Sequence, residues 1–512
     1  MTWTDVSFPP VPVVVGKHHA AAASGNEAVT SEAIAALRAA LAAPADATDR
    51  HTHLLLRAAA GAGKSFALRR LVVDAAGAPG SQRIGIVAFT NNQIRPLAEE
   101  LTKELGKERV CLHLSKDAYA KLPDGFGRSV TVSTQASGIP AAADVIVATA
   151  SKLKVPREQG RLKDAVGATG DDRLFDVLFV DEAWQLPHHL FDRVEGTAPV
   201  IVGVGDVGQL PPLDVAANPW RGDRSHNPYR AWPAAVEGKP TTWVRELPTV
   251  WRPPGESLNL WRAFYPTWSE DLSSVAAPGD RRLTITEPSA PSAALWQHVG
   301  GGVPTLVEIA GLAESPAPDI DVPLLAQVEE WLDNLFGSGF EIRSAVYSGD
   351  GEPTGDVAVA RPGESDDGDP LVVILATRNQ LVDDAVALAD RIREKYGLRD
   401  RDLVASTVDS WQGRTNAITI AIHPLTGATE LDDFNSAFGR LAVACTRATH
   451  GLLMVARAGL DDLLDTAPPR PGTPFGEPGE RQLPRQTHQR ILSTFARVTV
   501  DVDQKENDVA TV

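Results

Sequence analysis

Short apolar runs that stop abruptly at polar or glycine-rich residues dominate the first half of the chain. Five of them, HLLLRA (53–58), RIGIVAF (83–89), DVIVAT (144–149), VLFVD (177–181) and VIVGVGD (200–206), are separated by helix-like or loop stretches. Near-continuous hydrophobicity predicts strands buried on both faces, and the intervening helical stretches predict one parallel sheet covered by helices. A second series follows: helix LAQVEEWLDNLF (325–336), strand LVVILAT (371–377), helix LVDDAVALADRIREKYG (381–397), strand AITIAI (417–422), helix FNSAFGRLAVACTRA (434–448) and strand GLLMVA (451–456). Two such sheets in tandem predict a cleft between them. Residues 1–25, Pro-rich and then Ala-rich, read as irregular chain before the helical pattern EAVTSEAIAALRAALAA. The acidic, Gly/Pro-rich stretch 348–370 reads as a solvated loop. Residues 466–479 read as a linker, followed by an amphipathic segment QRILSTFARV and a polar end. The expected division is an N-terminal segment and helix (1–51), a first unit (52–252), a second unit (253–460) and a tail (461–512).

Composition narrows the class. A 512-residue chain with 43% hydrophobic residues has enough apolar material for two cores. The two cysteines, Cys111 and Cys445, both lie in apolar runs, which excludes a disulfide framework or a cysteine-rich zinc site and fits a reducing cytoplasm. No apolar run is long enough to span a bilayer, and no signal core follows the N-terminus, so no membrane partner is expected. A formal net charge of −17 excludes coating of nucleic acid by bulk electrostatics, but leaves room for a narrow groove with a few basic and polar groups. The histidine pairs at 18–19 and 188–189 lack cysteine or carboxylate partners at ligand spacing.

Chemistry concentrates where the apolar runs end. LLLRAAAGAGKSFALRRLV reads as strand, glycine-rich turn and helix. There Gly61, Ala62 and Gly63 let the backbone wrap an anion, Lys64 reaches the outer phosphates, Ser65 can ligate magnesium, and the positive helix start faces the phosphate chain. Ala58 stands where the common phosphate-loop pattern has its first glycine. Downstream, DEAWQ (181–185) places Asp181 and Glu182 at the carboxyl end of a buried strand, and GDVGQLPP (205–212) places Gln209 after the next one. An acidic pair there can hold Mg2+ and orient water, and a glutamine can touch the outer phosphate. Trp184 and Trp411 read as core.

In order along the chain, these segments resemble the motifs of superfamily 1 helicases, most closely the up-frameshift and senataxin-like 5′-to-3′ branch, over about residues 52–458. AAAGAGKS resembles motif I, AFTNNQ (88–93) motif Ia and VIVATAS (145–151) the next strand-end motif, with DEAWQ and GDVGQLPP resembling motifs II and III. LPTVWRPP (247–254), ILATRNQ (374–380), TVDSWQGR (407–414) and GRLAVACTRA (439–448) resemble the later motifs, and the last two discriminate best.

The resemblance implies two tandem RecA-like P-loop NTPase domains with minimal accessory domains. It implies ATP and Mg2+ as cofactors and single-stranded nucleic acid, DNA ahead of RNA, as partner, with a protein partner at the C-terminal tail. The implied activity is an ATP-dependent helicase or translocase; the other reading is a nucleic-acid-stimulated ATPase that acts as a clamp subunit without unwinding. By the same resemblance Arg252 and Arg447 reach the nucleotide from the second domain, with Gly413 and Arg440 as further nucleotide contacts. Thr90, Asn91, Thr149, Thr377 and Thr407 become track contacts, although Thr90, Asn91, Thr149 and Thr407 also suit strand or helix caps. Three departures stand out. Only about fifty residues separate AFTNNQ from VIVATAS. The glutamine that reads adenine in relatives has no counterpart, since the helix TSEAIAALRAAL offers Glu32 and no glutamine. Thr415 stands where relatives often have glutamate.

Overall fold

The computed structural model describes residues 3, 6–44, 46–168, 172–208, 227–268, 270–288, 291–315, 319–364, 368–432, 434–435, 438–467 and 484–502. The first sheet has eight strands: β1 (His53–Ala58), β2 (Ile84–Ala88), β3 (Val110–His113), β4 (Thr131–Ser133), β5 (Val145–Thr149), β6 (Val177–Asp181), β7 (Val200–Asp206) and β8 (Thr242–Glu246). Their order is β4-β3-β5-β2-β6-β7-β1-β8. Every neighbouring pair is parallel, so all carboxyl ends lie along one edge.

Helix α1 (His19–Ala42) and helix α2 (Lys64–Gly77) cover one face, where Leu37, Leu68 and Leu71 pack with Ile86 and Val202. The other face buries Leu55, Leu178 and Ile201 under Phe175 and Trp232. Burial on both sides explains why β2, β6 and β7 carry unbroken apolar sequence.

After β8, the short strand β9 (Thr249–Val250) pairs with β10 (Ser273–Ser274), and β11 (Arg281–Ile285) begins an antiparallel group with β13 (Phe340–Tyr347) and β14 (Pro353–Ala360). The second large sheet consists of β12 (Thr305–Ala310), β15 (Val372–Ala376), β16 (Leu403–Thr407), β17 (Asn416–Ile422), β18 (Ala448–Arg457) and β19 (Ala496–Asp501). Its order is β16-β15-β17-β18-β12-β19, again with parallel pairing throughout. The architecture is therefore α/β with two parallel, helix-flanked sheets, the arrangement expected of tandem RecA-like domains. Leu258, Trp261 and Phe264 share one apolar cluster with Val373, Leu375 and Ala444, so a continuous core links the two sheets.

Four expectations need correction. Residues 1–25 are not all irregular: α1 already begins at His19, because the alanine run 20–23 favours helix. The first sheet has eight strands and not five, because β3, β4 and β8 are short or half-buried and lack a long apolar run. The stretch 348–370 is not simply a loop: residues 353–360 form β14, whose side chains are almost all exposed and so leave no hydrophobic pattern, while its backbone pairs with β13. The tail likewise contains structure. Helix Pro484–Leu492 and β19 add to the second unit, with Ile491, Leu492 and Phe495 buried and β19 pairing along β12. Most of the expected linker, 468–479, lies outside the described residues.

Candidate functional site

The glycine-rich turn between β1 and α2 has the geometry of an anion cradle. Gly61 and Gly63 adopt φ of 74° and 81°, values that side chains disfavour, and α2 begins at Lys64 with its free N–H groups facing the turn. A Cβ on Gly61 would lie 2.4 Å from Arg252 Cβ, so the turn presses directly on that arginine.

The turn is braced by groups far away in sequence. Tyr265 Oη accepts from Ala60 N at 2.8 Å and donates to Asp206 at 2.8 Å, while Trp261 Nε1 donates to Ala60 O at 2.8 Å. Trp251 N donates to Gly61 O at 2.8 Å, and the Trp251 ring lies beside Gly63. Asn26 on α1 donates to Ala62 O at 2.8 Å and Thr249 O at 2.9 Å and accepts from Thr249 N at 2.9 Å, which uses both of its amide hydrogens.

Three carboxylates end β6 and β7 beside this turn. Asp181, Glu182 and Asp206 are all buried, and Lys64 Nζ bonds Glu182. Burial pulls the Lys64 ammonium down, but the charges of Glu182 and Asp181 outweigh it and raise its pKa. Burial, opposed by Lys64 and reinforced by Glu182, pushes the Asp181 carboxyl up to about 6. Glu182 adopts φ 51° and ψ 47°, a left-handed conformation that costs a non-glycine residue about 1–3 kcal/mol. Its Oε2 is buried without a hydrogen-bond partner. Strain and an unsatisfied oxygen together at one residue suit a group held ready for chemistry rather than for stability.

Opposite the carboxylates stand three arginines. Arg447 is 0% exposed and bonds only oxygens that carry no charge: Val443 O at 3.1 Å, Thr446 Oγ1 at 3.1 Å and Arg414 O at 3.5 Å. Arg252 Nη1 donates to Thr446 O at 3.1 Å. Burial and the nearby Arg447 charge draw the Arg252 guanidinium down to about 9. Arg281 braces the same segment through the carbonyls of Trp251, at 2.8 Å, and Arg252. Among the described residues neither Arg252, half-buried, nor Arg447, fully buried, has a carboxylate at ion-pair distance; Asp206 attracts both only from farther off. Burying the Arg447 charge without a paired carboxylate is costly unless an anion completes it.

Gly61, Ala62, Gly63, Lys64, Ser65, Asp181, Glu182, Asp206, Trp251, Arg252, Arg281, Arg447 and Gly413 line one cavity of about 1090 Å³, while Asn26, Trp261 and Tyr265 brace it from behind. The donor set fits a magnesium ion: the Ser65 hydroxyl and the Asp181 carboxylate are hard oxygen ligands beside the glycine-rich turn. Because Asp181 holds its proton below pH about 6, metal affinity should fall as pH drops through that value, by about tenfold per unit. Manganese binding followed by electron paramagnetic resonance, with a non-hydrolysable nucleotide present, checks this between pH 5 and 8; constant affinity across the range contradicts it.

The remaining expected residues fall into two groups. Thr90 lines the cavity, and its N–H donates to Gln93 Oε1 at 2.9 Å in a capping box; Gln93 Nε2 then donates to Gln185 Oε1 at 2.9 Å, tying this helix start to the Glu182 turn. Asn91 follows it as the first residue of that helix. Thr149 caps a short helix through Lys152 N at 3.3 Å, and Thr407 accepts from Ser410 N at 3.1 Å. Thr149 and Thr407 end β5 and β16, and Thr377 directly follows β15, so all stand at the carboxyl edges of the two sheets.

Arg440 is not brought to the cavity: it pairs with Asp409 at 3.3 Å and lies over the Phe434 ring at 4.2 Å. Glu32 is likewise not near the cradle, being exposed and paired with Arg245 at 3.1 Å. Gln209 lies outside the described residues. Trp411 is core, with its Nε1 bonded to Asn416, and Trp184 is half-buried against the apolar cluster. The sequence reading missed Asn26, Asp206, Trp251, Tyr265 and Arg281. Asp206 stands inside GDVGQLPP and could have been found there, whereas Tyr265 and Arg281 sit in segments with no local pattern of their own.

No family model matches this chain, and none of the curated proteins matches it. Among solved structures it is similar to the arterivirus nonstructural protein 10 helicase in complex with DNA, at 15% identity and a TM-score of 0.37 over 85% of this chain. The arterivirus nonstructural protein 10 helicase crystallised by itself gives the same identity, TM-score and coverage of this chain. The PRRSV helicase is 15% identical over 94% of this chain, with a TM-score of 0.35. The chain spans 65%, 63% and 68% of the length of these three.

Proposed function

We propose that this chain is a nucleoside-triphosphate-driven motor on single-stranded nucleic acid, a helicase or translocase of superfamily 1 type moving 5′ to 3′, with DNA favoured over RNA as track. The observation that carries this reading is the fully buried Arg447 and the half-buried Arg252, neither ion-paired with a carboxylate among the described residues, lining one cavity with the Lys64 cradle. Transfer of a phosphoryl group requires neutralisation of charge on the outer phosphate, a positioned water and a cation brought from outside the cradle. Lys64 and the N–H groups of the turn bind the phosphates, Glu182 accepts the proton of the attacking water, and Arg252 and Arg447 meet the charge that develops. Magnesium held by Ser65 and Asp181 supplies further neutralisation when bound.

Arg447 follows the helix Phe438–Cys445 of the second unit, while the cradle belongs to the first sheet. Movement between the two changes the distance of Arg447 from the phosphates, so hydrolysis follows cleft closure. The Gln93–Gln185 bond gives the Thr90 end of the track a direct mechanical tie to the Glu182 turn. The test is phosphate release with and without single-stranded DNA and RNA, together with displacement of a labelled strand. Stimulation without displacement or stepping supports a clamp instead; no stimulation by either nucleic acid removes the reading.

Base selectivity should be weak. The amide of Asn26 is consumed by Ala62 and Thr249, and Glu32 is turned toward Arg245, so neither reads a base edge. The half-buried Trp251 ring beside Gly63 offers stacking, which every base accepts. A bidentate amide contact is worth roughly 1–3 kcal/mol of discrimination. Without one, specificity constants for the four nucleoside triphosphates should agree within about tenfold. A hundredfold preference for ATP shows that another group reads adenine.

A further inference from the structure

Beyond Thr149 the carboxyl edge of the first sheet continues to β3 and β4, and there it opens into a separate cleft of about 550 Å³. Lys116 and Tyr119, on the segment after β3, form one wall; Thr134, Gln135, Ser137 and Gly138, on the segment after β4, form the other. The Tyr119 ring is 52% exposed, and the Lys116 side chain is exposed with no carboxylate partner among the described residues.

The cleft is built onto the element that carries Thr149. Lys152 Nζ donates to Thr134 O at 3.4 Å and pairs with Glu158 at 2.8 Å, while Lys152 N donates to Thr149 Oγ1 at 3.3 Å. His113, fully buried at the end of β3, bonds the same Glu158 oxygen at 2.8 Å. Thus Thr149 and the far wall of the cleft share one hydrogen-bonded frame.

We infer that this cleft is a distal subsite for single-stranded nucleic acid, in which Tyr119 stacks on a base and Lys116 pairs with a phosphate. The inference rests on the proposed function and names a part of the track that no motif marks. An exposed aromatic ring beside an ammonium, with hydroxyl and amide groups opposite, is the chemistry that holds a strand without reading its sequence. Position supplies the second reason: the spatial order β4-β3-β5-β2 places the cleft, Thr149 and Thr90 in one row. Three strand spacings of ~4.8 Å give that row a length of ~14 Å, a span that several stacked bases can cover. In an acidic chain, a site with one cation per few nucleotides holds the strand and still lets it go.

The test uses the full chain and fluorescein-labelled oligo(dT) of graded length, followed by anisotropy at several salt concentrations. Tyr119→Ala should weaken binding of long oligonucleotides by about 5- to 100-fold, with little effect on the shortest ones that bind, and Tyr119→Phe should restore it. Lys116→Ala should lower the slope of log affinity against log salt by about 1. Hydrolysis without nucleic acid should be unchanged in all three variants. If the wild type binds long oligo(dT) and Tyr119→Ala binds it equally well, the subsite is overturned and the motor reading stands. A wild type that binds no single strand removes both. An unchanged affinity accompanied by loss of a protein partner assigns the cleft to that partner and overturns the nucleic-acid subsite.

Discussion

Lys64→Ala and Glu182→Gln should each reduce hydrolysis to near background while the protein remains folded. The two side chains are bonded to each other in the cavity, yet their losses differ in kind. Removing Lys64 takes the one lysine that, among the described residues, lines a cavity holding three buried carboxylates, so both nucleotide affinity and turnover should fall. Glu182→Gln keeps the shape and removes the base, so turnover should drop by roughly 10²–10⁴ while nucleotide still binds. Phosphate release, fluorescent-nucleotide binding and thermal melting measure the three quantities. Turnover above a tenth of wild type in either folded variant removes these residues from the chemistry.

Arg447→Ala should cut turnover by roughly 10³ or more with nucleotide affinity nearly unchanged, the pattern of a cation that acts in the transition state. Its burial adds a complication that the measurement must separate. The Val443 and Arg414 carbonyls and the Thr446 hydroxyl lose a donor in the variant, at a cost of about 1–3 kcal/mol for an unsatisfied buried group. Arg447→Lys keeps a charge in the same place but cannot reproduce the planar fork, so it should recover stability more than turnover. If Arg447→Ala loses affinity and rate together, or Arg447→Lys is as active as wild type, Arg447 is a structural or binding residue.

The glycine-rich turn and the acidic pair were legible in the sequence because each of them ends an apolar run. AAAGAGKS and DEAWQ announce Lys64, Ser65, Asp181 and Glu182 by position alone, and the structure gathers them in one cavity. The bracing groups were not legible, since their partners are distant. Tyr265 meets Ala60 across 205 residues, and Asn26 meets Thr249 across 223. No window of sequence contains both members of either pair. Strand β14 escaped notice for a different reason: a strand exposed on both faces has no hydrophobic period, and only the backbone pairing with β13 defines it. The threonines at the sheet edges read as caps or as track contacts, and the geometry shows that Thr90, Thr149 and Thr407 cap local turns or helices at the carboxyl edges of the two sheets.

The pairing of β19 with β12 bears on how the chain folds as it is synthesised. β12 is complete by residue 310, but the strand that covers its outer edge begins at residue 496. For nearly two hundred residues of elongation, Thr305–Ala310 presents unpaired N–H and C=O groups, an invitation to pair with another chain. The helix Pro484–Leu492 arrives just as late, and its Arg490 bonds Ala263 O at 2.9 Å, one turn from Trp261 and Tyr265, which brace the glycine-rich turn. The nascent chain therefore assembles the turn and its braces early and supports the bracing segment late, so ribosome stalling before residue 484 should leave a product that aggregates through β12.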